Sequence, residues 1–211
     1  MVGIARRTPA FVDERYRHLA LDLADVPAAS VAIEHEVGAR LGERAWERVA
    51  LVNNAAAAPA GRVQNLDAGE LERAYAVNVV MPLWLMGFAL RRKPAQAELR
   101  IVNVSSGAAQ RPSPGLAAYC SSKAALRMAG MAVAAEADGS VSVLGYEPGV
   151  VDTEMQLAAR SRPLDEFPWG ETFRRFHAEG RLVAPELPAA DIVEFLESPN
   201  AERFQERRHG T

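Results

Sequence analysis

The chain has 211 residues, and its 49% hydrophobic and 24% charged content is what one soluble globular domain with a single core carries. A net charge of -3 leaves no global basic field for nucleic acid or an anionic membrane surface, so neither is an expected partner. The single cysteine, Cys120, excludes an intramolecular disulfide framework and a cysteine-based zinc site, and His18, His35, His177 and His209 lack ligand spacing.

No metal site is expected, and a reducing cytoplasm is the expected compartment. No apolar segment follows Arg6 and Arg7, so the N-terminus does not read as a signal peptide. Of the 24 basic residues only Lys93 and Lys123 are lysines, which makes a lysine within a motif stand out.

In chain order, the pattern predicts strands over 2–5 and 18–23, then a helix over 31–41. A buried strand over 48–52 leads through an alanine-rich loop into a long helix over 68–92, with Asp67 and Glu70 placed as a capping pair. Residues 74–90 carry no charge between Arg73 and Arg91. They fall short of a membrane span and suit a core or subunit-interface helix. Further elements are a strand over 100–104, a helix over 118–136 and a strand over 141–146 closed by Pro148-Gly149.

Beyond Asp152 the pattern loosens into an aromatic-rich segment with a short helix over 189–196, and 152–185 is expected to form a substrate lid. No linker composition or repeat divides the chain, so 1–211 is expected to be one domain. Uniformly apolar strands alternating with helices imply a doubly wound α/β fold, a Rossmann-like parallel sheet with helices on both faces. Ligand groups then gather at the carboxyl ends of the strands, where Asn53-Asn54, Ser105-Ser106 and Glu147-Pro148-Gly149 stand.

Tyr119 and Lys123 are four apart at a helix start and share one face. An ammonium near a phenol favours the phenolate, so Lys123 is expected to lower the pKa of Tyr119 toward a useful range. Ser106 lies at a strand end, where its hydroxyl can bond the same substrate oxygen as the phenol.

Leu51-Val52-Asn53-Asn54-Ala55, Asn78, Asn103-Val104-Ser105-Ser106, Tyr119 to Lys123, and Pro148-Gly149 to Thr153 occur in the order found in the short-chain dehydrogenase/reductase family. The chain resembles that family over most of its length. It is most similar to the sepiapterin-reductase-like branch through 145–156 and 180–183.

The resemblance implies an NAD(P)-dependent oxidoreductase that reduces a small ketone or diketone, with Tyr119 as the acid, Ser106 polarising the carbonyl and Lys123 binding the nicotinamide ribose. Asn78 would hold a water for proton resupply. Asn53 and Ala55 would form the adenosine-ribose wall, Asp22 would lie beside the adenine, Thr153 would contact the nicotinamide carboxamide, and Pro148 and Gly149 would also bind the cofactor. Arg6, after the first strand, favours the 2′-phosphate of NADPH over NADH. Trp169, Phe173 and Phe176 are candidate lid residues, and the uncharged helix suits a homodimer or homotetramer.

Two ends depart from the family pattern. The family opens on a strand, a glycine-rich turn and a helix that receives the pyrophosphate, and this chain lacks that unit of roughly 30 residues. It therefore reads as N-terminally truncated, with the strand at the centre of the sheet missing. After Phe204 the polar residues 205–211 offer no closing strand and no pterin-anchoring aspartate. Ala56 replaces the usual glycine, and Cys120 reads as packing rather than redox chemistry. These departures set a competing expectation beside the enzyme: a non-catalytic homologue or gene-model fragment serving as an interaction subunit.

Overall fold

The computed structural model describes residues 1–11, 13–43, 45–199 and 201–210. β1 (Val2–Ala5) and β2 (Arg17–Ala20) precede α1 (Val26–Gly42), β3 (Arg48–Asn53), α2 (Ala68–Tyr75), α3 (Met81–Arg92), β4 (Glu98–Val104), α4 (Ala117–Glu136) and β5 (Val141–Glu147). The segment after β5 folds as α5 (Glu154–Ser161), α6 (Gly170–Ala178) and α7 (Glu186–Glu197), and β6 (Phe204–Arg208) follows. β2 ends before the predicted boundary because Asp22 turns back to accept from the Ala24 amide at 3.0 Å. Asp25 then caps α1 through the Ala28 amide at 3.1 Å. Asp67 caps α2 by accepting from the Glu70 amide at 3.0 Å, as its spacing predicts.

The paired strands all run parallel, in the orders β1-β2 and β3-β4-β5-β6. One face of the larger sheet carries Leu99, Ile101 and Val143 against Met86 of α3 and Leu126, Val133 and Ala134 of α4. The other face carries Val102, Leu144 and Tyr146 against Ile192, Phe195 and Leu196 of α7. Helices thus cover both faces, the doubly wound arrangement that uniformly apolar strands require.

Ile4 of β1 and Leu51 of β3 pack on the same cluster, built from Ala29 and Ile33 of α1 and Met81, Leu85 and Phe88 of α3. The two sheets therefore share one helical layer, yet among the described residues no strand joins β1 to β3. Along β3, Leu51 faces that layer while Val52 is 40% exposed. The discontinuity stands where the resemblance places its central strand. Over β1, a Cβ at Gly3 would come 2.0 Å from the hydroxyl of Tyr16, so any side chain there would displace the tyrosine.

The predicted long helix is interrupted by a π turn over Ala76–Val80, a local widening that carries Asn78. The helix over 68–92 is long and apolar enough to span a bilayer by composition. Here it buries Met81, Leu85, Met86, Phe88 and Ala89 in the core, as expected of a core helix.

The expectation of no strand after Phe204 is corrected, since β6 pairs with β5 over Phe204–Arg208. Among the described residues β6 pairs with β5 alone, so it is an edge strand whose charged residues bond to helices on alternate faces. Glu206 bonds Arg127 of α4 at 2.6 Å, and Arg207 lies 3.6 Å from Glu194 of α7. Beside the backbone pairing with β5, Phe204 packs on the α4 side, and the polar residues after it make ion pairs instead of apolar contacts. Thr211, the last residue of that polar stretch, lies outside the described residues.

Candidate active site

The carboxyl ends of the parallel strands and the first turns of α4 bring the predicted residues to one edge of the sheet. Ser106 follows β4 and accepts from the Ala108 amide at 3.2 Å, which fixes its hydroxyl at the head of a short 3-10 turn. Gly115, before α4, has φ +80, and a Cβ on it would come 2.8 Å from the fully buried ring of Phe167. Only glycine leaves room there. That turn sets the start of α4, so Tyr119 and Lys123 sit on its first two turns.

The Tyr119 phenol lies close enough to the Ser106 side chain for the two to influence each other. Burial pushes the phenol's pKa above the ordinary tyrosine value, and the Ser106 side chain offsets this only in part. The expected lowering by Lys123 is corrected. The Lys123 ammonium lies 5.7 Å from the centroid of the Tyr119 ring and donates instead to the Val104 carbonyl at 2.7 Å. Lys123 is 1% exposed, and burial lowers its own pKa to about 8. A raised phenol pKa keeps Tyr119 protonated at neutral pH, the form that gives up a proton as a carbonyl is reduced.

Asn78 is also buried, and its side chain is committed to protein partners. Its Oδ1 accepts from the Ala57 amide at 2.7 Å, while its Nδ2 donates to the Ala57 carbonyl at 2.7 Å and to Ser122 Oγ at 2.9 Å. Ser122 in turn donates to the Tyr119 carbonyl at 2.9 Å. Asn78 therefore ties the loop after β3 to α4 through its amide. Asn53 is turned inward too, with Nδ2 donating to Asn103 Oδ1 at 2.8 Å, so Ala55 and the backbone form the outward surface of that loop.

Asp22 follows β2 and bonds Arg73 of α2 at 3.0 Å. The Ala24 amide and the Arg73 guanidinium hold its carboxyl below the usual range. Arg6 is exposed and acts on Asp22 through its charge. Its neighbour Arg7 pairs with Glu154 at 2.6 Å, linking the loop after β1 to the start of α5.

Thr153 caps α5, and Pro148 and Gly149 precede it in a loop pinned to 183 by paired backbone bonds of 2.9 Å. Of the aromatic candidates, Phe173 stacks on Phe167 at 6.0 Å, Phe176 is covered by Arg181 at 4.6 Å, and Trp169 is half-buried at the head of α6.

Sequence reasoning missed Asn103 and Ser122, although both lie inside quoted motifs. Asn103 is on β4, two residues before Ser105 and on the α3 side of the sheet, where its Nδ2 meets Met86 Sδ at 3.6 Å. A polar residue in an apolar strand was the available signal. For Ser122 no comparable signal exists, because its partner Asn78 is distant in the chain.

The family model for short chain dehydrogenase matches residues 13–163. Benzil reductase ((S)-benzoin forming) of Bacillus subtilis is 32% identical over 182 residues, covering 84% of this chain and 74% of that protein. Sepiapterin reductase of Xenopus tropicalis is 32% identical over 195 residues, covering 87% of this chain and 71% of that protein. In fold, a crystal structure of a short-chain dehydrogenase/reductase from Saccharomyces cerevisiae matches with a TM-score of 0.83 at 24% identity, covering 100% of this chain and 85% of that one. The chain belongs to the short-chain dehydrogenase/reductase family of NAD(P)-dependent oxidoreductases, with sepiapterin-reductase-like relatives.

Proposed function

We propose that the protein is a cytoplasmic, NADPH-dependent carbonyl reductase that converts a small ketone or diketone to an alcohol. The observation that carries this reading is the placement of Ser106 beside Tyr119, one helical turn from the buried Lys123, at the carboxyl edge of a parallel sheet. Similarity to a benzil reductase supports a diketone substrate.

The residues present fit the two ends of a nicotinamide dinucleotide. The Lys123 ammonium gives one donor to Val104, leaving two for ribose hydroxyls, with Thr153, Pro148 and Gly149 at the same edge. Asp22, the Ala55 loop and Arg6 suit an adenosine carrying a 2′-phosphate. Among the described residues no glycine-rich turn supplies a diphosphate cradle. NADPH, when bound, supplies the hydride. Ser106 holds the substrate carbonyl oxygen, Tyr119 donates its proton to that oxygen, and Lys123 keeps the site cationic. The segment 152–185, with Trp169, Phe173 and Phe176, would cover the substrate.

A second reading, a non-catalytic homologue acting as an interaction subunit, is favoured by the unjoined edges of β1 and β3. Titrating NADPH fluorescence against the purified chain separates the two. Saturable binding with oxidation of NADPH by benzil is expected, and no binding up to millimolar cofactor would sink the enzyme reading.

We place a homodimer or homotetramer contact on the outward face of the long helices, where Val80, Leu83 and Met128 are 47%, 48% and 60% exposed. Light scattering is expected to show an oligomer that becomes monomeric in the double variant Leu83→Glu, Met128→Glu. A wild-type monomer would refute the contact.

A further inference from the structure

The carboxyl end of β5 is held by a second polar cluster, on the sheet face opposite α4. Tyr146 is fully buried, and its hydroxyl donates to Asp191 Oδ2 of α7 at 2.7 Å. His209, just past β6, places Nδ1 2.7 Å from the same oxygen. A carboxylate oxygen can only accept, so His209 carries its proton on Nδ1 and both neighbours donate to Asp191. These two donors hold the Asp191 carboxyl below its usual range, while burial and that carboxylate raise the Tyr146 phenol.

We infer that Asp191 is a positioning residue for the reductase, acting through Tyr146 and His209 to fix both Ser106 and the 147–153 loop. The connections run along the backbone. The Tyr146 carbonyl accepts from the Ser105 amide at 2.7 Å, one residue before the hydroxyl that lies beside Tyr119. The Glu147 carbonyl accepts from the His209 amide at 2.8 Å, so the segment after β6 clasps the start of the loop that leads to Thr153. One carboxylate therefore ties α7, β5 and the chain end together directly behind the reacting edge. Without it, a buried hydroxyl loses its acceptor and the clasp loses its anchor.

The inference rests on the proposed reductase for its catalytic meaning, while the clasp itself is testable without cofactor. Tyr146→Phe removes only the hydroxyl, and Asp191→Asn keeps the shape but loses the charge. In the unliganded protein both are expected to raise amide exchange over 105–109 and 147–153 by about tenfold or more, leaving the centres of β4 and α4 unchanged. His209→Ala should do the same over 147–153, and His209→Gln, which retains a donor, should restore protection.

With NADPH, loss of such a bond is expected to raise KM for the cofactor about five- to twentyfold while kcat changes less than about threefold. Unchanged exchange in both Tyr146→Phe and Asp191→Asn overturns the clasp. Faster exchange with an unaltered NADPH KM overturns the positioning role. If the wild-type chain binds no NADPH, the proposed function fails by that result, and amide exchange still decides the clasp.

Discussion

Replacing Tyr119 with phenylalanine is expected to lower kcat for diketone reduction by about 10²- to 10⁴-fold, the range a positioned general acid contributes. NADPH affinity should stay within about threefold, because the substitution removes no charge and leaves Lys123 in place. The size of the effect follows from the phenol's surroundings. Its pKa is raised by burial, so it is a weak acid in the ground state and is fully protonated at neutral pH. In the proposed reduction the proton would pass as negative charge develops on the substrate oxygen, with Ser106 beside both groups.

Phenylalanine preserves the ring packing and leaves Ser106 to hold the carbonyl alone. Single-turnover kinetics would separate the loss in the chemical step from any change in binding. A variant that retains more than about a tenth of wild-type kcat would assign the proton to another donor, since general-acid contributions below that are not expected.

The chemistry of this site was more legible than its support. Tyr119 and Lys123 announce themselves by helical spacing, and Ser106 by standing at a strand end, because these are local relations between residue type and backbone. Asn78 lies in the π turn, where its amide bonds the Ala57 backbone, and no local pattern distinguishes that turn from a continuous helix.

The pKa of Tyr119 went opposite to expectation for a related reason. Sequence spacing put the ammonium on the right face of α4, yet the Val104 carbonyl, supplied by β4, draws it away from the phenol. β6 escaped notice because its ion-pair partners lie outside the strand, Arg127 on α4 and Glu194 on α7, and because its residues after Phe204 are polar or charged. The Tyr146–Asp191–His209 cluster is likewise a product of three elements meeting. What the chain encodes locally is therefore the reacting groups, and what tertiary packing adds is the set of bonds that hold them still.

Lys123→Met is expected to stabilise the fold while abolishing most activity. At neutral pH the wild-type protein keeps an ammonium at 1% exposure, with its pKa drawn from 10.5 down to about 8 by burial. A fall of that size corresponds to about 3 kcal/mol of destabilisation of the charged form in the folded chain. Between about 8 and 10.5 the unfolded chain holds more protons than the folded one, so stability rises with pH through that window. The penalty is complete below it and absent above it.

Methionine fills similar volume without charge, but it leaves the Val104 carbonyl without its lysine donor at a cost of about 1 kcal/mol. The net gain expected at pH 7 is about 2 kcal/mol, and at about pH 10.5 the variant should lose its advantage. Urea unfolding of both proteins at the two pH values measures this. A Lys123→Met variant less stable than wild type at neutral pH would mean that the Val104 bond outweighs desolvation, and that the cation belongs to the fold as much as to the reaction. The expected result would support the reverse, that a costly buried charge is kept for the proposed reaction and not for the fold.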